Sequence, residues 1–302
     1  RQYILRETLA PENYVGWKAS SDETREQNQI DNLITEEVRF TVEDNNIAAE
    51  YDLKDQRTVG AFSITKEGEF FTGTEAELKM TDRVKNLFLT IFQYVTGRVE
   101  QAEFEVYVKE DIFTPDGSGE YARWMNAEGE TMVLKAGTCI ETLRTDHQGL
   151  ASVENLPLGT YYLREVKAGE GNFLLNKEEK EVVLEYAGQD IPIVSPDSVQ
   201  YKNERQKIEI QIQKMEAGTD LPVAGAVFGL YAAEDLPGYA VTEDRVVSVY
   251  PDALVKKDTL LEKVETDEAG VAVFEADVPG GKYYVKELQA PEGYLKTDEI
   301  WY

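Results

Sequence analysis

Residues Thr160–Phe173 read TYYLREVKAGEGNF, and variants of this stretch occur twice more, as RQYILRETLAPENY at Arg1–Tyr14 and KYYVKELQAPEGY at Lys282–Tyr294. Each copy alternates with period two and then enters a turn containing Pro or Gly, which predicts a strand closed by a tight turn. Alternation puts Tyr161, Leu163 and Glu165 on one face, and Tyr162, Arg164 and Val166 on the other. The matching sets are Tyr3, Leu5, Glu7 and Tyr283, Val285, Glu287. An acid therefore shares an apolar face with an aromatic and an aliphatic residue, where an unpaired anion is costly to bury. Three occurrences in one register ask for a chemical reason.

A second repeat supplies the partners. Tyr51–Glu69 (YDLKDQRTVGAFSITKEGE) aligns without a gap on Val199–Gly218 (VQYKNERQKIEIQIQKMEAG), with Asp55 on Asn203 and Lys66 on Lys214. Alternation places Lys66 behind Phe62 and Ile64, and Lys214 behind Ile208, Ile210 and Ile212. It places Asp55 behind Tyr51 and Leu53, and Asn203 behind Val199 and Tyr201. A Lys, a Glu and an Asn or Asp thus each point to the core side of a strand. Two further blocks recur: FEVYVKEDI (Phe104–Ile112) as FGLYAAEDL (Phe228–Leu236), and Glu141–Tyr162 as Glu262–Tyr284. The last pair carries Thr-Asp-x-x-Gly at Thr145–Gly149 and Thr266–Gly270, suited to hairpin turns. One Asp per turn is too few ligands for calcium.

Many short strands with regular turns predict an all-β chain of tandem sandwiches. The boundaries fall at residues 1–56 (the end of a first unit), 57–205 (a complete unit) and 206–302 (the beginning and middle of a third). Lys66 to Phe104 spans 38 positions (104 − 66) and Lys214 to Phe228 spans 14 (228 − 214), so the complete unit holds an insertion at about 67–101. Within it Asn86–Val95 (NLFLTIFQYV), apolar on both faces, predicts a buried strand, and Thr74–Arg83 a short helix. Glu37–Val42 alternates as a strand; Trp17–Asp31 is polar and loop-like. Arg1 and the strand-like TDEIWY at Thr297–Tyr302 suggest a piece of something longer.

Composition narrows the functions. A formal charge of −27 disfavours nucleic acid, which needs Lys and Arg clusters. The single Cys139 forms no intrachain disulfide framework, and the single His147, in a turn-like TDHQG context, leaves little room for a His-based triad or zinc site. No apolar run approaches the roughly 20 residues of a membrane helix. No cofactor or metal site is expected.

These motifs resemble the collagen-adhesin B-type and SpaA-type pilin repeats of Gram-positive surface proteins. The likeness rests on YYLREVKAGEGNF, YYVKELQAPEGY, AGAVFGLY and the strand ends KNERQ and KDQRT. It implies prealbumin-like, or reversed Ig-like, β-sandwiches with an intramolecular isopeptide bond between Lys and Asn/Asp, promoted by the Glu. It also implies a cell-wall-anchored stalk or pilus outside the cell, with neighbouring repeats, and other pilin subunits or host matrix, as partners. Two positions depart from the pattern: Gly169 replaces the proline of the turn, and the first unit offers Asp55 rather than Asn.

The chemistry has its own physical basis. Burial lowers a Lys pKa and raises that of a Glu. Lys66 then becomes a neutral amine able to attack the Asn203 side-chain carbonyl, while Glu165 hydrogen-bonds the carbonyl oxygen and shuttles the proton to departing ammonia. The alternative is a buried Lys66–Glu165 salt bridge with a hydrogen-bonded Asn203. Glu7 and Asp55 lack a visible lysine, and Lys214 and Glu287 lack a visible acceptor; the same design is expected there with the third member elsewhere. Such a chain is no turnover enzyme. Rival readings are an adhesive module binding a host matrix protein or glycan through the insertion or the surroundings of Trp17 and Trp124, and a sandwich appended to a secreted enzyme.

Overall fold

The computed structural model describes residues 1–15, 37–41, 55–79 and 87–302, and the described residues contain strands and no helix. At the N-terminal end, β1 (Gln2–Arg6) pairs antiparallel with β3 (Glu37–Thr41), and β2 (Tyr14–Val15) with β4 (Gln56–Arg57). Trp17–Asp31 lies outside the described residues.

The second unit begins with β5 (Val59–Lys79), 21 residues long, which folds back on β6 (Leu87–Arg98). There follow β7 (Ala102–Val108), β8 (Arg123–Met125), β9 (Thr131–Val133), β10 (Cys139–Arg144), β11 (Leu150–Leu156), β12 (Gly159–Ala168), β13 (Lys180–Leu184), β14 (Ile193–Val194) and β15 (Val199–Lys202). One sheet has the order β10-β7-β12-β13; in the other, β5 takes β11 antiparallel and both β14 and β15 parallel. Inward residues follow the period-two expectation: Ala102, Phe104, Val106 and Val108 of β7, and Tyr161, Leu163 and Glu165 of β12, are all buried. With Phe62, Ile64 and Tyr201 from the facing sheet, the apolar members form one core.

The third unit repeats the plan with β16 (Ile210–Gln213), β17 (Val227–Ala232), β18 (Tyr239–Val241), β19 (Val247–Val249), β20 (Leu260–Glu265), β21 (Val271–Phe274), β22 (Tyr283–Gln289) and β23 (Ile300–Trp301). Here β16 pairs β21, and β20-β17-β22-β23 form the other layer.

The insertion differs from its expected form. Thr74–Lys79, expected to begin a short helix, continues β5. The helix-favouring residues TEAELK are overridden by pairing, Thr74 to Phe92 through Lys79 to Leu87. The remainder of the expected helix lies outside the described residues. Over Leu87–Val95 the expected strand is present, but only the face of Thr90 and Phe92 is consistently covered; on the other, Ile91 and Val95 are exposed and Leu89 is covered where it meets β20.

Candidate functional site: a buried Lys–Glu–Asn cluster

Three strands deliver three polar side chains into the core of the second unit. Lys66 on β5, Glu165 on β12 and Asn203 just past β15 are 0, 2 and 1% exposed. The parallel register of β15 on β5 sets Tyr201 beside Lys66, and the Asn203 N–H donates to Glu67 O at 3.0 Å. Tyr201 anchors this strand end. Its ring packs on Phe104 at 4.8 Å between centroids, and its hydroxyl lies within donating distance of the Leu163 and Glu178 carbonyls.

Glu165 is the hub. Lys66 Nζ lies 2.9 Å from Oε1, in a fully buried ion pair. Asn203 Nδ2 donates to both carboxyl oxygens, at 3.0 and 2.9 Å, and the Asn176 N–H donates to Oε2 at 2.6 Å. The contact to Asn203 differs from the expected one. The amide nitrogen faces the carboxyl, and Oδ1, the expected acceptor, is buried with no hydrogen-bond partner among the described residues. The carboxyl thus faces both the amine that would attack and the nitrogen that would leave. Burial lowers the Lys66 pKa below its ordinary value of 10.5, with the charge of Lys180 adding to the shift and Glu165 opposing it.

The Thr-Asp-x-x-Gly turns, read from sequence only as hairpin connections, hold the lysines in place. The Lys66 N–H donates to Gly149 O at 2.8 Å, and the Val99 N–H donates to Lys66 O at 3.0 Å. Gly149 has φ +65°, and a Cβ there would meet Lys66 O at 2.7 Å. Asp146 Oδ1 accepts from the Gln148 and Leu150 N–H groups, which occupies it within its own turn. Buried Thr145 bridges Val99 O and the Ala102 N–H, both at 2.9 Å. The third unit repeats every part: Lys214 N to Gly270 O at 2.7 Å, Asp267 capping its turn, and Thr266 bridging Val223 O and the Ala226 N–H. The repeated spacing of Thr, Asp and Gly was the available signal; the docking of Gly against lysine depends on strand pairing. His147 lies exposed in the same turn. No group of three or more metal-binding side chains occurs among the described residues.

In the third unit Lys214 Nζ lies 3.1 Å from Glu287 Oε1, and the Thr297 N–H donates to Glu287 Oε2 at 2.7 Å, as Asn176 does to Glu165. Glu287 pairs in register with Phe228 as Glu165 does with Phe104. Where β15 lies in the second unit, the third has an open groove of about 540 Å³ lined by Ile208, Ile210, Ile212, Tyr284 and Trp301. Lys214 is correspondingly a fifth exposed. Glu7 follows β1 and Asp55 precedes β4; both are half-buried and flank different two-stranded sheets.

A family model for the SpaA prealbumin-like fold domain matches the chain twice, over residues 93–197 and 208–302. The chain belongs to this family and consists of tandem all-β, prealbumin-like domains. Lys214 falls inside the second match, whereas Lys66 precedes the first. Among solved structures the chain is similar to the Bacillus anthracis TIE protein, at 20% identity and a TM-score of 0.48, covering 88% of this chain and 33% of that one. It therefore spans about a third of that relative's length. It is also similar to the shaft pilin SpaA of Lactobacillus rhamnosus GG (15% identity, TM-score 0.29, covering 81% of this chain and 94% of that one). A streptococcal ancillary pilin matches at 19% identity and a TM-score of 0.27, covering 95% of this chain and 69% of that one. No curated protein matches the chain in sequence.

Proposed function

We propose that the chain is a structural repeat of a cell-wall-anchored surface protein or pilin, an extracellular stalk whose units are stapled by autocatalytic Lys–Asn amide bonds. The observation that carries this reading is the buried Lys66–Glu165–Asn203 cluster. Transfer of one proton within the Lys66–Glu165 pair leaves a neutral amine beside a carboxylic acid. Lys66 Nζ attacks Asn203 Cγ to give a tetrahedral adduct with a cationic Nζ and an anionic oxygen. Glu165 gives its proton to Nδ2, the carboxylate so formed takes one from Nζ, and the oxyanion re-forms the carbonyl as the Cγ–Nδ2 bond breaks and ammonia leaves. A carboxyl 2.9–3.0 Å from both nitrogens is placed to serve both transfers. The fold supplies proximity, for which effective molarities of about 10⁵–10⁸ M are known. Each cluster reacts once, on itself, so the chain is not a turnover enzyme. Lys214 and Glu287 are the same device awaiting an Asn- or Asp-bearing strand in the adjoining groove. Glu7 and Asp55 are the promoter and acceptor of a unit whose lysine lies elsewhere. Neighbouring repeats and other pilin subunits are the partners.

Intact-mass measurement tests the reading. The folded protein should be lighter than its sequence mass by one ammonia, and its digest should hold a Lys66–Asn203 branched peptide. Glu165→Gln should slow or abolish the mass loss, and Lys66→Ala should abolish it. An unaltered mass with linear peptides only would leave a buried salt bridge as the better account.

A further inference from the structure

The hairpin of β5 and β6 grows from the cross-linking strand of the second unit, yet it ends in the third. β6 pairs antiparallel with β20, Leu89 opposite Glu262, so one sheet runs β11-β5-β6-β20-β17-β22-β23 across both units. Phe71, Leu89 and Phe92 are buried in the core built around Phe228, Leu230 and Leu261, which is the core of the third unit. Polar contacts fix the approach. Tyr94 Oη donates to Asp277 O at 2.7 Å, Arg205 pairs with Asp277 and stacks over the Tyr94 ring at 3.7 Å, and Arg245 pairs with Glu67 at 2.6 Å.

The second unit closes the equivalent place with its own residues. There β10 corresponds to β20 and is an edge strand. Trp124 of the β8–β9 hairpin is buried beside it, with Nε1 donating to Glu154 O of β11 at 3.1 Å, and the Ala127 N–H donates to Glu141 of β10 at 2.8 Å. The corresponding β18–β19 hairpin of the third unit carries no tryptophan. It turns instead toward the donated hairpin, with Tyr239 edge-on to Phe70 at 5.1 Å and Val247 over Gly97.

We infer that the β5–β6 hairpin is a donated edge of the third unit: the β20 edge is a docking surface for a strand supplied by the preceding unit, and that hairpin opens together with the third unit rather than with the core of its own. An unpaired strand edge beside exposed Phe and Leu pockets is costly, and the third unit has no residue of its own in that place. The inference stands apart from the Lys66 amide, since every contact in it is non-covalent.

Hydrogen exchange on the 302-residue chain tests it. In a Leu89→Ser/Phe92→Ser variant, amides of β20 and β21 should exchange at least about tenfold faster, while those of β7 and β12 keep their wild-type rates. Wild-type protection of β20 and β21 in that variant would overturn the inference. If the variant does not fold, the wild-type chain decides: β6, β20 and β21 should share one opening free energy and one denaturant dependence. If β20 and β21 both stay closed while β6 opens alone, the proposal is wrong.

Discussion

At the scale of single residues, the cluster is held by its backbone neighbours as much as by its charges. Gly149 is the sharpest case, with a left-handed φ and a lysine carbonyl against the position of its missing Cβ. Gly149→Ala should cost about 1–3 kcal/mol by strain and contact, and should slow amide formation by displacing Lys66; denaturant midpoints and a mass-loss time course check both. The lysine also sets a pH dependence. In an Asn203→Ala chain Lys66 remains an amine, its pKa lowered by burial below 10.5. Between that lowered value and 10.5 the folded chain binds fewer protons than the unfolded one, so stability rises with pH through the window. Adding Lys66→Met should remove the rise. Urea midpoints that climb equally with and without Lys66 would refute this assignment. The sequence displayed the three residue types and their faces, because period two needs no tertiary information. It did not display which end of the Asn203 amide meets Glu165, since that depends on a side-chain torsion set by the surrounding donors.

At the scale of elements, the strands bearing the cluster were legible from alternation, and the inserted hairpin was not. TEAELK has good helix formers and no strong strand signal, so local propensity pointed the wrong way. What decides the matter is the β6 strand that pairs with it over its whole length, from Thr74 with Phe92 (92 − 74 = 18 positions on) to Lys79 with Leu87 (87 − 79 = 8). The two apolar faces of Asn86–Val95 suggested full burial; one face is instead exposed at Ile91 and Val95 and covered only at Leu89, because the hairpin covers a single core. The self-closure of the second unit gives a separate expectation. Trp124→Ala should cost about 3–5 kcal/mol, with the loss confined to protection of β7, β10 and β11. An equal loss across β17, β20 and β22 would contradict the assignment of Trp124 to the second core alone.

At the scale of the whole molecule, tandem units were legible because four sequence blocks recur in order. The sheet shared between units was not, because it depends on a single pairing of β6 with β20 that no repeat announces. The parallel pairing of β15 with β5 has a mechanical consequence. A chain pulled from its two ends would load the second unit at the start of β5 and at the end of β15. With Lys66 joined to Asn203, force crosses from one strand to the other through the amide. The 137 positions between them (203 − 66) then lie off the loaded path. Stretched by a single-molecule probe, that unit should yield no extension from those residues, whereas Lys66→Ala should release roughly 450–490 Å of contour at about 3.3–3.6 Å per residue. A shaft built this way keeps its length under strain, since nearly all the chain of such a unit is shielded from the pull it transmits.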